Sequence, residues 1–351
     1  MTSDFARLAA RSLWTEGVFL VDIGCAGGID PAWRVFGDRL GALAIEASVD
    51  ECRRLASQEV NPAVAYVAAF AGLPPDHSFA RRREGKPEAG RNPWERMSAA
   101  RTMGRNEASL RQVSDEERIK QSVWWMTEVA DAAKPIFVPE LLAQRGIASV
   151  DFLKIDTDGN DLAILHSFED EFDRLGVLGA RLEVNFGGSA EDTDRTFHNT
   201  DRFMKAQGFE LFDLTLRRYS AAALPARYTT TIAAQTESGR LLKRDALYFR
   251  DWCAPYWAEA AASATVDKLL KLTTFYAMFG LPDCAAEMLL RFRPRLEARL
   301  HMDAALDMLA AQTQPGSDRK LSYRDYMAAF EADDPSFYPA RTMSAGDEKD
   351  R

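Results

Sequence analysis

The sequence has little cysteine, and the cysteines it has are scattered. Among 351 residues there are four, and no two of them form a Cys-x-x-Cys pair; they stand at Cys25, Cys52, Cys253 and Cys284. Disulfide frameworks and structural zinc sites need clustered or regularly paired cysteines. The spacing therefore argues against both, and it indicates a reducing compartment.

Long apolar runs and an excess of positive charge are also missing. No uncharged apolar stretch approaches the roughly 20 residues of a membrane-spanning helix. Met1–Trp14 lacks the apolar core of a signal peptide, because Asp4, Arg7 and Arg11 interrupt it. The formal net charge of -9 argues against general affinity for nucleic acid or anionic membranes. We therefore expect a cytoplasmic protein with no nucleic-acid partner and no transmembrane segment.

Apolar residues are plentiful, and their spacing alternates between strand-like and helix-like patterns. Hydrophobic residues make up 46% of the chain, enough for a sizeable core. Alternation of this kind is typical of a parallel sheet with crossover helices. The predicted strands are Val18–Ile23, Leu40–Ile45, Val64–Phe70, Val150–Ile155, Arg181–Phe186, Phe209–Leu216 and Ala246–Arg250. The expected fold is α/β, a Rossmann-like, seven-stranded, mostly parallel sheet whose last two strands form an antiparallel edge.

Changes in composition divide the chain into a sheet domain and a helical domain. Residues 1–253 form the predicted Rossmann-like domain, which residues 74–121 interrupt as an arginine-rich insertion or lid. A solvated surface excursion is the alternative for that segment. Residues 254–335, rich in alanine and leucine, predict a C-terminal helical accessory domain, and the charged residues 336–351 predict a disordered tail.

A glycine-rich loop follows the first predicted strand. It reads VDIGCAGG and spans Val21–Gly28. Without side chains at Gly24 and Gly28, a ligand can approach the backbone closely. Asp22, just before the loop, would repel a pyrophosphate but attract the cationic ammonium and sulfonium groups of S-adenosylmethionine. Because the spacing also departs from the GxGxxG of dinucleotide sites, an NAD-dependent oxidoreductase is disfavoured.

Glu46 ends the second predicted strand. A carboxylate at this place can accept hydrogen bonds from both hydroxyls of a ribose. The alternative is a structural turn with a surface glutamate. Together with the glycine loop, Glu46 predicts a nucleoside-containing cofactor.

The most unusual segment is an acidic turn after Val150–Ile155. The sequence DFLKIDTDGND places carboxylates at Asp156, Asp158 and Asp161. The carboxyl ends of strands line the binding crevice of a doubly wound sheet, and Lys154 shares a strand face with Asp156. The alternative role is a cap, in which Asp156 or Asp158 accepts backbone N–H groups of the turn.

These motifs resemble the FkbM family of S-adenosylmethionine-dependent methyltransferases. The resemblance spans Val18–Asp251 and rests on the glycine loop, Ile45-Glu46, the Lys154-Ile155-Asp156 motif with the rest of the acidic turn, and Leu182-Glu183-Val184. It implies a class I methyltransferase sheet and methylation of a hydroxyl on a sugar, glycan or related natural product. The chain departs from the family pattern at four positions. The family has Asn where Ala26 stands and often Pro where Ala47 stands, and it has Glu where Asp158 and Asp161 stand.

The expected site has a cofactor-binding part and a catalytic part. The cofactor-binding residues are expected at Asp22, Gly24, Ala26, Gly28, Glu46 and Ala47. An alcohol is a poor nucleophile, so a base must take its proton or a metal must lower its pKa. We expect Asp156 as the crevice carboxylate, with Lys154 and Glu183 as neighbours. Mg²⁺, held by Asp156, Glu183 and Asn185, stays an open alternative.

Three questions stay open at the level of the sequence. The arginines of residues 81–118 suggest an anionic acceptor, such as a nucleotide sugar or acidic glycan. His198 is an alternative base. A second hypothesis is a binding or scaffold protein that keeps the cofactor fold without turnover, and the oligomeric state is open.

Overall fold

The computed structural model describes residues 3–13, 15–84, 134–157, 159–216, 218–219, 240–241, 243–314, 320–333 and 337. The chain divides into two compact units. Gly17–Asp251 form the sheet unit, and Met1–Glu16 together with Trp252–Arg351 form the helical unit. The sequence placed residues 1–253 in one domain, whereas the structure groups Met1–Glu16 with the C-terminal helices.

The sheet unit is built on one sheet of eight strands. They are β1 (Val18–Ile23), β2 (Leu40–Glu46), β3 (Val64–Ala71), β4 (Lys134–Ile136), β5 (Phe152–Ile155), β6 (Gly179–Asn185), β7 (Glu210–Leu214) and β10 (Lys243–Phe249). Their order is β4-β3-β2-β1-β5-β6-β10-β7. A separate ladder pairs β8 (Arg218–Tyr219) with β9 (Arg240–Leu241).

The predicted Rossmann-like fold is confirmed, with one difference in the sheet: the three-residue β4 adds an eighth strand beyond β3. The predicted antiparallel edge is formed by β7 and β10. β10 is antiparallel to both β6 and β7 and lies between them. All other pairs in the sheet are parallel, and their carboxyl ends therefore meet at one edge.

Helices of the sheet unit connect the strands. They are the 3₁₀ helix η1 (Pro31–Arg39) and the α-helices α2 (Val49–Gln58), α3 (Ser78–Arg83), α4 (Val138–Gln144), α5 (Asp161–His166), α6 (Phe172–Leu175) and α7 (Phe197–Ala206). The apolar spacing of the sequence predicts a single helix over Asp161–Phe172, but α5 ends at His166. There the Ser167 hydroxyl donates to the carbonyl of Ile164 at 2.5 Å, a side-chain bond that competes with the helical pattern.

Alternation along the strands gives the sheet two different faces. Val21, Ile23, Leu153 and Ile155 belong to one large apolar core. The intervening residues point to the opposite face. There, Asp22 of β1 pairs in register with Lys154 of β5, and Lys154 pairs with Arg181 of β6. One face of the sheet is therefore apolar, and the other bears a row of charges near its carboxyl edge.

The helical unit joins the two ends of the chain. Its elements are α1 (Asp4–Arg11), the 3₁₀ helix η2 (Pro255–Trp257), α8 (Ala258–Ser263), α9 (Val266–Met278), α10 (Pro282–Arg291), α11 (Arg293–Leu296), α12 (Met302–Gln312) and α13 (Tyr323–Ala332). Helix α1 packs against α9 and α12. The buried Asp267 of α9 accepts the backbone N–H groups of Thr15 and Glu16 at 2.7 and 2.8 Å and pairs with Arg299 at 3.0 Å. These bonds explain why Met1–Glu16 group with this unit.

Some predictions concern residues outside the described ranges. The insertion is described over residues 74–84 but not beyond, and Asp158 and most of residues 336–351 also lie outside. Among the described residues, no helix is both long enough and apolar enough to cross a membrane.

Candidate functional site

The glycine loop leaves the carboxyl end of β1 and turns sharply. Gly24, Gly27 and Gly28 have φ angles of 81°, 82° and 96°, a region that side chains disfavour. A Cβ on Gly24 would lie 1.8 Å from the carbonyl oxygen of Asp156. The Gly24 amide donates to the carbonyl of Ile45 at 2.8 Å. The loop is therefore packed between the ends of β2 and β5, and Gly24 is required for that packing.

Lys154 lies between the glycine loop and the acidic turn. Its Nζ donates to the carbonyl oxygen of Gly24 at 2.8 Å. The same atom lies 3.1 Å from Oδ1 of Asp22 and 3.7 Å from Oδ2 of Asp156. The Lys154 side chain is 23% exposed and that of Asp22 is 5% exposed, whereas that of Asp156 is 41% exposed. The structure thus brings together Lys154 and Asp156, as predicted by alternation, and adds Asp22 to them.

Burial and neighbouring charges act in opposite directions on these groups. Burial lowers the pKa of Lys154, but the carboxylates of Asp22 and Asp156 outweigh it, and the net shift is upward. Burial raises the pKa of Asp22, and Lys154 offsets part of that shift. Lys154 therefore stays an ammonium ion and is unsuited to act as a base.

Glu46 stands at the end of β2, beside the glycine loop. It is buried, and its Oε1 accepts the backbone N–H of Ser48 at 2.8 Å. Ala47 follows and is partly exposed, and Ala26 at the tip of the glycine loop is exposed. One oxygen of Glu46 is therefore used by the turn into α2, as the structural alternative expects, but Glu46 is buried rather than at the surface.

The acidic turn is held by Asp161. Its Oδ1 accepts the backbone N–H of Thr157 at 2.7 Å, and its Oδ2 accepts that of Gly159 at 3.0 Å. The capping alternative named Asp156 or Asp158 as acceptors. The structure shows Asp161 in that role, and Asp158 lies outside the described residues. Asn160 ties the turn to the end of β3, because its side-chain amide donates to the carbonyl of Ala71 at 3.0 Å.

Two further residues of the site are not evident from the sequence. Arg181, two residues before Glu183 on β6, pairs through Nε with Asp245 of β10 at 3.1 Å. Burial lowers the pKa of Arg181, but nearby carboxylates, chiefly that of Asp245, raise it above its usual value. Because Arg181 alternates with Glu183 along the strand, the sequence could have placed Arg181 on the charged face. It could not have identified Asp245 as the partner, because the two residues are distant in sequence.

The second missed residue is Glu51, in the first turn of α2. It accepts the backbone N–H of Gly27 at 3.0 Å and pairs with Arg54. The hydrogen bond from Arg54, helped by the Gly27 amide, lowers the pKa of Glu51 to about 2. A carboxylate in the first turn of a helix is a common sequence signal, but nothing in the sequence links it to the loop.

Several residues weighed in the sequence do not join this cluster in a chemical role. Burial raises the pKa of the Cys25 thiol, so Cys25 is a buried filler of the loop rather than a nucleophile. His198 is exposed on α7. Within the described ranges no three His, Cys, Asp or Glu side chains group as metal ligands, so the Mg²⁺ alternative finds no support.

The charge of the site suits a cationic ligand. Carboxylates lie near the carboxyl edge of the charged face at Asp22, Glu46, Asp156, Glu183 and Asp245, and the cations whose side chains the structure describes there are Lys154 and Arg181. An excess of carboxylates attracts a sulfonium or ammonium group and repels a pyrophosphate. The exposed tip of the glycine loop and the excess of carboxylates therefore fit S-adenosylmethionine.

Comparison with protein families agrees with this chemistry. Residues 98–211 match the family model of the methyltransferase FkbM domain. The match includes the acidic turn and β6, whereas the glycine loop and Glu46 precede it. It confirms the resemblance that the motifs indicate: residues 98–211 are similar to the methyltransferase FkbM domain.

Comparisons with individual proteins add little. No curated protein matches the sequence significantly. A TehB-like SAM-dependent methyltransferase from Corynebacterium glutamicum is 9% identical, with 70% of this chain and 87% of that chain covered and a TM-score of 0.28. Sp1610 of Streptococcus pneumoniae, a proposed tRNA methyltransferase, is 11% identical, with 88% and 98% covered and a TM-score of 0.28.

Proposed function

We propose that this chain, a protein with a methyltransferase FkbM domain, transfers a methyl group from S-adenosylmethionine to a hydroxyl of a sugar, glycan or related small molecule. The observation that supports this most is the meeting of the glycine loop and the acidic turn at one edge of the sheet, where Gly24 packs on Asp156. A cofactor held by the loop would place its reactive end near that carboxylate.

Each part of the cofactor has a candidate partner. Glu46 would accept the ribose hydroxyls through the oxygen that the Ser48 amide leaves available. The exposed tip at Ala26, with Gly24, Gly28 and Ala47 nearby, would line the site. Asp22 would act mainly through charge, because its carboxylate already contacts Lys154.

Asp156 is the candidate base. When bound, S-adenosylmethionine supplies an electrophilic methyl group and leaves as a neutral thioether. Asp156 accepts the proton of the acceptor hydroxyl as that oxygen becomes an ether. Lys154 and Glu183 are its proposed neighbours. The ammonium of Lys154 lies 3.7 Å from Asp156, and Glu183 follows Leu182, the residue that pairs with Ile155 just before Asp156.

The acceptor is proposed to be a hydroxylated compound, with an anionic group as an option. Arg81, Arg82 and Arg83 of α3 are exposed, and Arg82 lies 3.6 Å from Asp192. Their replacement with Ala should raise the KM of an anionic acceptor and flatten its salt dependence. An unchanged KM would favour a neutral acceptor.

The test combines binding and turnover. Calorimetric titration should detect S-adenosylmethionine and S-adenosylhomocysteine but not NADH. Transfer of a tritiated methyl group to extracted glycans should fall by about two to four orders of magnitude in Asp156→Asn, with cofactor affinity nearly unchanged. Asp213→Asn, at an exposed edge-strand position, is the matched control. Binding of NADH alone would overturn the proposal, and cofactor binding without transfer to any glycan would favour the scaffold hypothesis.

A further inference from the structure

We propose that Lys154 is a positioning residue that couples the glycine loop to the acidic turn, so that cofactor binding orders Asp156 before the acceptor enters. The inference rests on the proposed function, because it concerns the order of events at the same site. It gives the lysine of the family-like Lys-Ile-Asp motif a role that does not involve contact with either substrate.

The geometry places the ammonium between two elements. Gly24 and Asp22, both at the carboxyl end of β1, lie 2.8 and 3.1 Å from Nζ. Asp156, after β5, lies 3.7 Å away. The ammonium donates a hydrogen bond to the Gly24 carbonyl and forms ion pairs with the carboxylates of Asp22 and Asp156 from the same position. Any shift of the Gly24 carbonyl on cofactor binding therefore changes how strongly the ammonium holds Asp156.

The burial of Lys154 favours positioning over direct contact. Its side chain is 23% exposed, whereas that of Asp156 is 41% exposed. The neighbouring cation, Arg181, is engaged with Asp245 and is 39% exposed. Of the two cations, Lys154 is thus the more enclosed and the one in contact with both the loop and the turn.

Backbone contacts also join the loop to the turn, and they define the competing explanation. The amide of Asp156 donates to the carbonyl of Ile23 at 2.9 Å, and Gly24 packs against the Asp156 carbonyl. Asp161 also holds the amides of Thr157 and Gly159. These contacts fix main-chain atoms of the turn without Lys154, whereas Lys154 acts on the Asp156 carboxylate. The two routes predict different results when the ammonium is removed.

Hydrogen exchange of the full chain, with and without saturating S-adenosylhomocysteine, separates them. In the wild type, both the loop amides of Gly24 and Gly28 and the turn amides of Asp156, Thr157 and Gly159 should exchange about tenfold more slowly with ligand. In Lys154→Met the loop should keep this protection, while the turn should gain less than about threefold. Lys154→Arg retains the cation and should keep a larger part of the turn protection.

Two controls make the result decisive. Lys205→Met removes an exposed lysine that lies 3.9 Å from Glu210 and should behave as the wild type. Asp156→Ala removes the other end of the contact and should lose turn protection with cofactor affinity nearly unchanged, which tests the coupling even if Lys154→Met binds ligand too weakly. Full turn protection in either variant at saturation would overturn the proposal in favour of the backbone route. No loop protection in any protein would instead contradict the proposed function.

Discussion

Gly24 and Gly27 have nearly the same backbone conformation but different surroundings. Their φ angles are 81° and 82°. A Cβ on Gly24 would lie 1.8 Å from the Asp156 carbonyl oxygen, whereas a Cβ on Gly27 would meet nothing within 4 Å. Alanine at either position costs about 1 kcal/mol for the left-handed conformation. At Gly24 it must also push β5 away from the loop.

This pair gives a matched test of the close packing. Gly24→Ala should lower the free energy of unfolding by more than about 3 kcal/mol and abolish cofactor binding, while Gly27→Ala should cost about 1 kcal/mol. Urea unfolding and calorimetric titration measure the two effects. Equal destabilisation by the two variants would show that packing against Asp156 is unimportant.

Asp161 gives a second prediction at the residue scale. Its two oxygens accept the amides of Thr157 and Gly159. In Asp161→Asn, one carboxylate oxygen becomes an NH₂ group, which would face a backbone N–H of the turn, so that one hydrogen bond is lost. We therefore expect the free energy of unfolding to fall by about 1–2 kcal/mol. Asp156→Asn, which does not remove those acceptors, should cost less in the same urea titration. The reverse order would assign the structural role to Asp156.

The sequence predicted the placement of side chains where the signal was local, and their roles in a site stay predictions. Asp22 and Lys154 could be placed because a strand-end acid and alternation are visible in a few neighbouring residues. The contact between them depends on strand register, and the Arg181–Asp245 pair joins residues 64 positions apart. Periodicity fixes which face a side chain occupies, but it does not fix which strand lies beside it.

At the scale of elements, an aromatic stack holds α3 to the sheet unit. His166 of α5 lies with its ring centroid 4.1 Å from that of Phe79 of α3 and 4.3 Å from that of Phe203 of α7. Burial lowers the pKa of His166 from 6.5 to about 4, although Glu169 acts in the opposite direction. The folded protein therefore keeps the imidazole neutral at pH values where the unfolded chain protonates it.

This difference predicts how stability depends on pH. The contribution of His166 is complete above pH 6.5 and should be lost progressively as the pH falls toward 4, by an amount on the order of 2–3 kcal/mol. His166→Phe keeps an aromatic ring in the stack without a titrating group, so its urea stability should fall less over that interval. Parallel pH profiles for the two proteins would exclude His166 as the source.

The boundaries of strands and helices were predicted correctly where a single local signal determined them. β1 was predicted residue for residue, because a β-rich run ends at a glycine turn. The single helix predicted over Asp161–Phe172 was wrong, since Ser167 bonds back to Ile164 and the apolar spacing continues through the break. The spacing of apolar residues alone does not show where a side-chain hydrogen bond competes with the backbone hydrogen bonds of a helix.

At the scale of the whole molecule, the chain ends share one unit. Phe5 and Leu13 of the N-terminal segment are fully buried, and α1 packs against α9 and α12. Asp267 fastens the segment by accepting the amides of Thr15 and Glu16. The sequence could not show this, because an amphipathic helix indicates that a partner exists without identifying it.

The grouping of α1 with the C-terminal helices predicts which fragments fold. A fragment of residues 17–251 should fold and bind S-adenosylmethionine, because it contains the sheet, the glycine loop and the acidic turn. A fragment of residues 1–255 has the same sheet but exposes the apolar face of α1, each large side chain of which is worth about 1.5–3 kcal/mol when buried. We expect the 1–255 fragment to bind the dye ANS and to aggregate, which light scattering would show. For the 17–251 fragment, circular dichroism reports the fold and calorimetry reports the cofactor affinity. Equal behaviour of both fragments would mean that α1 needs no partner, and failure of both to fold would mean that the sheet unit depends on the helical unit.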